Sequence, residues 1–145
     1  MIVREVTEQD LPQLLSLYLY LHETEIPDFD EHLLGVWKKI LSDPDHHIIV
    51  AEEDGKLIST CVCVILPNLT RGVRPYALVE NVVTHGDYRG KGYASACLGY
   101  AKELALKENC YRLTLATGSK LDSTLNFYRH AGYSSEDKTA FNQWL

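Results

Sequence analysis

The sequence has 145 residues, of which 46% are hydrophobic and 23% are charged, and this composition predicts a single globular domain over residues 1–145. The longest apolar run, Cys61–Leu66, is far shorter than the roughly 20 residues of a membrane span, and the first residues lack a signal-peptide core. We therefore expect a cytoplasmic protein with no membrane partner and with its four cysteines reduced. The net charge of −6 argues against nucleic-acid binding, which depends on phosphate attraction.

Hydrophobic periodicity predicts a strand, two helices and a hairpin in the first half of the chain. These elements are a strand over Val3–Val6, a helix over Leu11–His22, a helix over Leu33–Leu41, and strands over Ile48–Glu53 and Leu57–Leu66. Asp54-Gly55 is a typical hairpin dipeptide between the last two.

The second half is predicted to continue with strands that alternate with helices. The elements are a strand over Tyr76–Thr84, helices over Ala94–Ala105 and Leu121–His130, a strand over Arg112–Thr117 and a last strand from Tyr133 onward. Phe141 and Trp144 suggest a docked tail. Hairpin and crossover connections together predict an α/β fold with a mixed, mostly antiparallel twisted sheet of six to seven strands and about four helices.

The most informative segment is Arg89–Ala94, which lies between a predicted strand and a predicted helix. Gly90 and Gly92 would allow a ligand to approach the backbone closely. The unpaired N–H groups at the start of the helix, together with Arg89 and Lys91, would favour a phosphate. The alternative is a glycine turn that only permits tight packing, and glycines alone do not separate the two.

Two common nucleotide motifs fit this segment poorly. A P-loop requires Lys-Ser/Thr after its second glycine, but Gly92 is followed by Tyr93-Ala94. A dinucleotide fingerprint would place its third small residue at Ser95, and its turn would follow the first strand of the fold. A dinucleotide-binding oxidoreductase therefore stays a weaker alternative.

The sequence resembles GNAT-type N-acetyltransferases in three segments. They are Glu80-Asn81-Val82-Val83-Thr84, Arg89-x-x-Gly92-x-Ala94 and Asn126-Phe127-Tyr128-x-x-x-Gly132-Tyr133. The element order agrees along nearly the whole chain, and the match is specific from Glu80 to Tyr133. It departs from the family where His85-Gly86-Asp87 replaces a frequent proline and where Ala94 replaces a commoner glycine.

The resemblance implies acetyl-coenzyme A as co-substrate and a primary amine as acceptor. No metal is expected, because adjacent His46 and His47 would point to opposite faces of a strand and Cys61-x-Cys63 has no second ligand pair. It implies that the diphosphate lies on the backbone of the turn, namely Arg89, Gly90, Lys91, Gly92, Tyr93, Ala94 and Ser95. The pantetheine arm would run beside Val82, Val83 and Thr84 like an added strand, and Asn126 would form a hydrogen bond with the cofactor from the last helix. These cofactor-binding roles are expectations that follow from the resemblance.

The resemblance also implies that Tyr128 is the general acid that protonates the leaving thiolate, with a packing role as the alternative. Glu80 is the candidate base, either directly or through water, although a solvent-facing structural role is equally consistent with the sequence. On a regular strand Glu80 would point the same way as Val82 and Thr84. A strand N–H near Val83 would then bind the acetyl oxygen.

The acceptor itself cannot be named from the sequence. Residues 1–54 carry a net charge of −10 and the remainder +4, so the acidic region after the first helix could attract a cationic amine or could simply be solvated. A small amine is favoured over a protein, and the chain could form a homodimer. The main alternative to an enzyme is a non-catalytic acyl-coenzyme A sensor of the same fold.

Overall fold

The computed structural model describes all 145 residues. Five strands and four helices follow one another along the chain. They are β1 (Ile2–Glu5), α1 (Leu11–Tyr18), α2 (Glu31–Ser42), β2 (His46–Glu53), β3 (Lys56–Leu66), β4 (Tyr76–Thr84), α3 (Tyr93–Lys107), β5 (Leu113–Thr114) and α4 (Asp122–His130). None of the helices combines the length and the apolar character that crossing a membrane would require.

The sheet has the strand order β1-β2-β3-β4-β5. Successive strands from β1 to β4 pair antiparallel, whereas β4 and β5 pair parallel. The hairpin between β2 and β3 turns at Asp54 and Gly55, both of which have positive φ, as the predicted turn requires. The parallel pair arises because α3 carries the chain from the end of β4 back to the start of β5.

Two apolar clusters cover the two faces of the sheet. One face packs against α3 through small residues such as Cys97 and Ala101, and Phe127 and Tyr128 of α4 pack on the same cluster. The other face packs against α1 and α2 through Leu14, Leu17 and Trp37. The sheet is thus the central layer, with α3 and α4 on one side and α1 and α2 on the other.

The mixed α/β sheet and the four helices are confirmed, but the expected six to seven strands are wrong. The sheet has five strands, and no strand follows Tyr133. Residues 134–140 are mostly polar, and β5 offers a pairing register of only two residues, Leu113 and Thr114, so neither propensity nor a long edge favours another strand. Phe141 and Trp144 are 91% and 89% exposed, so the tail is not docked within the chain.

A buried carboxylate ties β1 to the start of α1. Asp10 is only 6% exposed. Its two carboxylate oxygens accept hydrogen bonds from Arg4 at 2.7 and 3.1 Å, and one of them also accepts the backbone N–H of Thr7 at 2.7 Å. The hydrogen bond from Arg4 is the main reason that the pKa of Asp10 lies below its usual value.

We expect Asp10→Asn to lower the free energy of unfolding at pH 7 by about 2 kcal/mol, because charge-assisted hydrogen bonds are lost at a buried group. A carboxyl with a lowered folded pKa contributes stability above its unfolded pKa and loses it as the pH falls through the folded value. The difference from the parent, measured by urea unfolding, should therefore shrink below about pH 4. Glu25→Gln, at an exposed position, is the control. An equal difference at pH 3 and pH 7 would contradict this account.

Candidate active site

A β-bulge interrupts β4 in the middle of the sheet. Val62 of β3 pairs with Glu80 and Thr60 pairs with Val83, so β4 carries one more residue than β3 between these pairs. Asn81 adopts a left-handed conformation with φ 52°. An extra residue of this kind reverses which face the following side chains point to.

The prediction that Glu80 points the same way as Val82 and Thr84 is therefore wrong. Val79 and Val82 both contact the cluster on the α3 side, and Val83 belongs to the cluster on the α1 side. Because Glu80 follows Val79 on an extended strand, its side chain points to the α1 side, as that of Val83 does. Glu80 is exposed there.

A gap opens between β4 and β5 immediately beside the bulge. The two strands pair only at Ala77 and Leu78 and then separate, so the rest of β4 has no strand on that edge. The N–H of His85 donates to the carbonyl of Ile58 on β3 at 2.8 Å. By alternation the backbone of Val83 also faces β3, whereas the backbone groups of Val82 and Thr84 face the gap. The prediction of an acetyl-oxygen donor near Val83 stays a prediction, and within this segment it is the N–H of Val82 that faces the gap.

The glycine turn lies beyond the end of β4 and begins α3. Gly90 and Gly92 have φ of 73° and 87°, and nothing lies within 4 Å of where a side chain on either would begin. Gly92 supplies no capping side chain, and the first hydrogen bond of the helix runs from the N–H of Ala96 to the carbonyl of Gly92 at 3.0 Å. The N–H groups of Tyr93 to Ser95 consequently lack helical partners.

Cationic side chains surround this turn, but they are not equally free. Arg89 is exposed and forms no ion pair. Lys91 donates to the carbonyl of Asp87 at 3.4 Å, and its ammonium lies 5.3 Å from the ring centre of Tyr88. The phenol of Tyr93 donates to Glu53 at 3.0 Å, so only the backbone of Tyr93 remains available at the turn.

Tyr128 of α4 packs on the α3 side of the sheet, in the same cluster as Val82. Its ring lies edge-on to Phe127 at 5.1 Å and to Tyr133 at 6.3 Å between centres. Burial raises its pKa, and the thiol of Cys61 on β3 raises it further. A phenol with a raised pKa stays protonated at neutral pH and can donate a proton.

A groove with a volume of about 680 Å³ lies between α3, β5 and α4. Ser95, Thr114, Leu115 and Tyr128 are among the residues that line it. The groove therefore joins the start of α3 to the face of α4 that carries Tyr128. A volume of this size is large enough for a cofactor-sized ligand.

Asn126 lies away from these groups. It is exposed, its side-chain oxygen accepts a hydrogen bond from Arg129 at 3.1 Å, and it does not line the groove. Its separation of two residues from Tyr128 places the two side chains on different sides of α4. A role for Asn126 in cofactor binding stays a prediction.

Two polar residues near the bulge, Asn81 and His85, were not predicted as site residues. Burial raises the pKa of Tyr18 to about 12. The side chain of Asn81 acts in the opposite direction on this pKa, because it lies next to the phenol. The hydroxyl of Tyr20 lies 3.2 Å from Nε2 of His85. One signal was available, because asparagine adopts left-handed conformations far more often than most residues do, and Asn81 interrupts an apolar strand.

Comparison with known proteins identifies the family to which this fold belongs. The sequence matches the model of the acetyltransferase (GNAT) family over residues 11–133. It is 27% identical to the glucosamine 6-phosphate N-acetyltransferase of Trypanosoma brucei brucei, over 94% of this chain and 90% of that protein.

Many solved structures share the fold, among them the following two. One, from Agrobacterium tumefaciens strain C58, carries an acetyltransferase name, is 36% identical, covers 100% of both chains and has a TM-score of 0.93. Glucosamine-6-phosphate N-acetyltransferase from Arabidopsis thaliana is 22% identical over 99% of this chain and 97% of that one, with a TM-score of 0.86. The chain thus belongs to the GNAT acetyltransferase family.

Proposed function

We propose that this protein transfers an acetyl group from acetyl-coenzyme A to a primary amine in a ternary complex of enzyme, thioester and amine. The observation that carries the proposal is the open edge of β4 between an uncapped glycine turn and the half-buried Tyr128. These features provide amide donors for a diphosphate, an unpaired strand edge for an extended amide-bearing arm, and a proton donor beside that edge.

The residues of the chain fit acetyl-coenzyme A in this arrangement. The amides of Tyr93 to Ser95 and the charge of Arg89 would hold the diphosphate, and the backbone of Val82 and Thr84 would pair with the pantetheine arm. The co-substrate supplies an acetyl group activated as a thioester. A backbone N–H of Val82 in the gap would stabilise negative charge on the acetyl oxygen.

Direct transfer is favoured because no cysteine is suited to form a covalent acyl-enzyme. All four cysteines are free and buried. Burial raises the pKa of Cys63 to about 11 and that of Cys97 to about 12, and it raises that of Cys61 as well. The thiolate is the nucleophilic form, and it is scarce in such surroundings.

Proton transfer would use the two faces of the sheet. The amine nitrogen forms the new bond to the acetyl carbon as the bond from carbon to sulfur breaks. Tyr128, on the α4 side, would donate its proton to the leaving thiolate, and Glu80, on the α1 side, would take the proton of the amine directly or through water. The acceptor would accordingly enter from the face covered by α1 and α2.

A small amine is the proposed acceptor class. Support comes from the relative in Trypanosoma, whose name specifies an amino sugar phosphate. The segment between α1 and α2 is exposed and carries Glu23, Glu25 and Asp28, which would favour a cationic group nearby.

The test is release of free thiol from acetyl-coenzyme A with a panel of amines. The panel contains glucosamine 6-phosphate, a polyamine, an aminoglycoside, free amino acids and a peptide with a free N-terminus. We expect turnover with at least one small amine and no turnover when the peptide is the acceptor. Tight binding of acetyl-coenzyme A without turnover of any amine would instead favour a non-catalytic acyl-coenzyme A sensor.

A further inference from the structure

The segment that follows α1 contacts the residues that lead into the glycine turn through a pair of side chains, Tyr20 and His85. Their ring centres are 4.7 Å apart, and the phenol oxygen lies 3.2 Å from Nε2 of the imidazole. A side chain on Gly86 would begin only 3.1 Å from the ring of Tyr20, so the tyrosine is seated directly against the turn. The two segments are 65 residues apart in sequence.

The hydrogen bonds of His85 fix which of its nitrogens carries the proton. The N–H of Asp87 donates to Nδ1 at 3.2 Å, so Nδ1 is the acceptor. In the neutral ring the proton then lies on Nε2, which donates to the hydroxyl of Tyr20. One imidazole therefore holds the turn through one nitrogen and the segment after α1 through the other.

His85 occupies the junction between the two halves of the proposed site. It follows Thr84, the last residue of β4, and the turn that it opens leads directly into Arg89–Ser95. Its ring lies edge-on to Tyr88 at 5.2 Å, and Tyr88 lies edge-on to Tyr93 at 6.0 Å. A continuous row of rings thus connects Tyr20 to the first residue of α3.

The other end of the row lies on the proposed acceptor face. Residues 23–30 contain no helix or strand. Tyr20 and Phe29 are 42% and 52% exposed, so few internal contacts hold this part of the chain. A segment with few internal contacts opens at low cost and loses conformational entropy when it is ordered, and the contact at His85 joins it to the end of a sheet strand.

We infer that the Tyr20–His85 pair couples the two ligand sites, so that a ligand on the glycine turn orders residues 19–30 and prepares the acceptor side. Tyr20 and His85 are positioning residues. A ligand that immobilises Arg89–Ser95 also immobilises His85 and, through it, Tyr20, so the cost of ordering the acceptor segment is met before the amine binds. Couplings of this kind change affinity by about 5–150-fold. The inference rests on the proposed function, because it takes coenzyme A as the ligand of the turn.

The experiment is amide hydrogen exchange of residues 19–30 with and without saturating coenzyme A, with binding measured separately by calorimetry. We expect coenzyme A to slow exchange in this segment at least about fivefold in the parent protein. Tyr20→Phe, which removes only the hydroxyl, should weaken this protection, and Tyr20→Leu, which also removes the ring contact, should abolish it. All three proteins should bind coenzyme A.

Tyr100→Phe is the matched control, since it likewise removes a tyrosine hydroxyl, one that donates to Glu5 of β1 at 3.3 Å and not to His85. It should leave the protection unchanged. Once an acceptor is known, Tyr20→Leu should raise the KM for that amine more than it lowers kcat.

Each failure points to a different cause. Binding of coenzyme A without slower exchange of residues 19–30, or full protection in Tyr20→Leu, overturns the coupling and leaves the cofactor site intact. Absence of coenzyme A binding to the parent protein overturns the proposed function and the coupling with it.

Discussion

Gly92→Val should weaken binding of acetyl-coenzyme A by at least about 100-fold. The residue has φ 87°, where a β-branched side chain is strained by about 1–3 kcal/mol. The added methyl groups would also stand in the space from which a diphosphate reaches the amides of Tyr93 to Ser95. Loss of two charge-assisted hydrogen bonds, each contributing about 1.5–3 kcal/mol, accounts for the expected change. Isothermal titration calorimetry measures it.

A second glycine separates strain from loss of the site. Gly72 has φ 72° in the exposed loop between β3 and β4, and nothing lies within 4 Å of where its side chain would begin. Gly72→Val therefore imposes a similar backbone strain far from the turn, and it should lower the melting temperature without changing the affinity. Unchanged affinity for acetyl-coenzyme A in Gly92→Val would show that the glycine turn does not bind the diphosphate.

Tyr128→Phe should lower kcat by roughly 100-fold and leave the affinity for acetyl-coenzyme A nearly unchanged, because a positioned general acid contributes about 10²–10⁴-fold. The ring, which packs against Phe127 and Tyr133, is retained. Burial raises the pKa of Tyr128 above its usual 10.0, so the phenol stays protonated through neutral pH. The kcat of the parent protein should therefore fall through deprotonation of Tyr128 only in strongly alkaline solution.

Tyr133→Phe is the matched control for this experiment. Its ring centre lies 6.3 Å from that of Tyr128, and both side chains are half-buried. Burial raises the pKa of Tyr133 to about 12, so its phenol is also protonated at neutral pH. It should retain kcat within about threefold, because no proton transfer is assigned to it. Equal kcat in Tyr128→Phe and the parent protein would reduce Tyr128 to a packing residue.

Local sequence signals predicted most of the elements that carry the site. The glycine turn before α3 and the helix bearing Tyr128 lie where the patterns place them, because left-handed turns and helical periodicity are encoded within a few residues. The hairpin at Asp54-Gly55 was predicted for the same reason. These features require no knowledge of which strands become neighbours.

Features that depend on strand partners were missed. The bulge at Asn81 depends on the register between β3 and β4, and the gap depends on how soon β5 diverges from β4. A single inserted residue reversed the predicted direction of Val82 relative to Glu80, since side-chain direction alternates along a strand. The pair of Tyr20 and His85 joins residues 65 positions apart, and no local pattern marks it.

The last strand was overpredicted for a related reason. Tyr133, Phe141 and Trp144 have high β-propensity, but a strand also requires pairing with the sheet, and residues 134–140 between them are mostly polar.

A crystal structure with bound acetyl-coenzyme A tests the central claim most directly. The account predicts a diphosphate hydrogen-bonded to the amides of Tyr93, Ala94 and Ser95, with the thioester beside the backbone of Val82 and its sulfur facing Tyr128. A nucleotide bound elsewhere on the protein, with the space between β4 and β5 filled by the chain's own side chains, would contradict it.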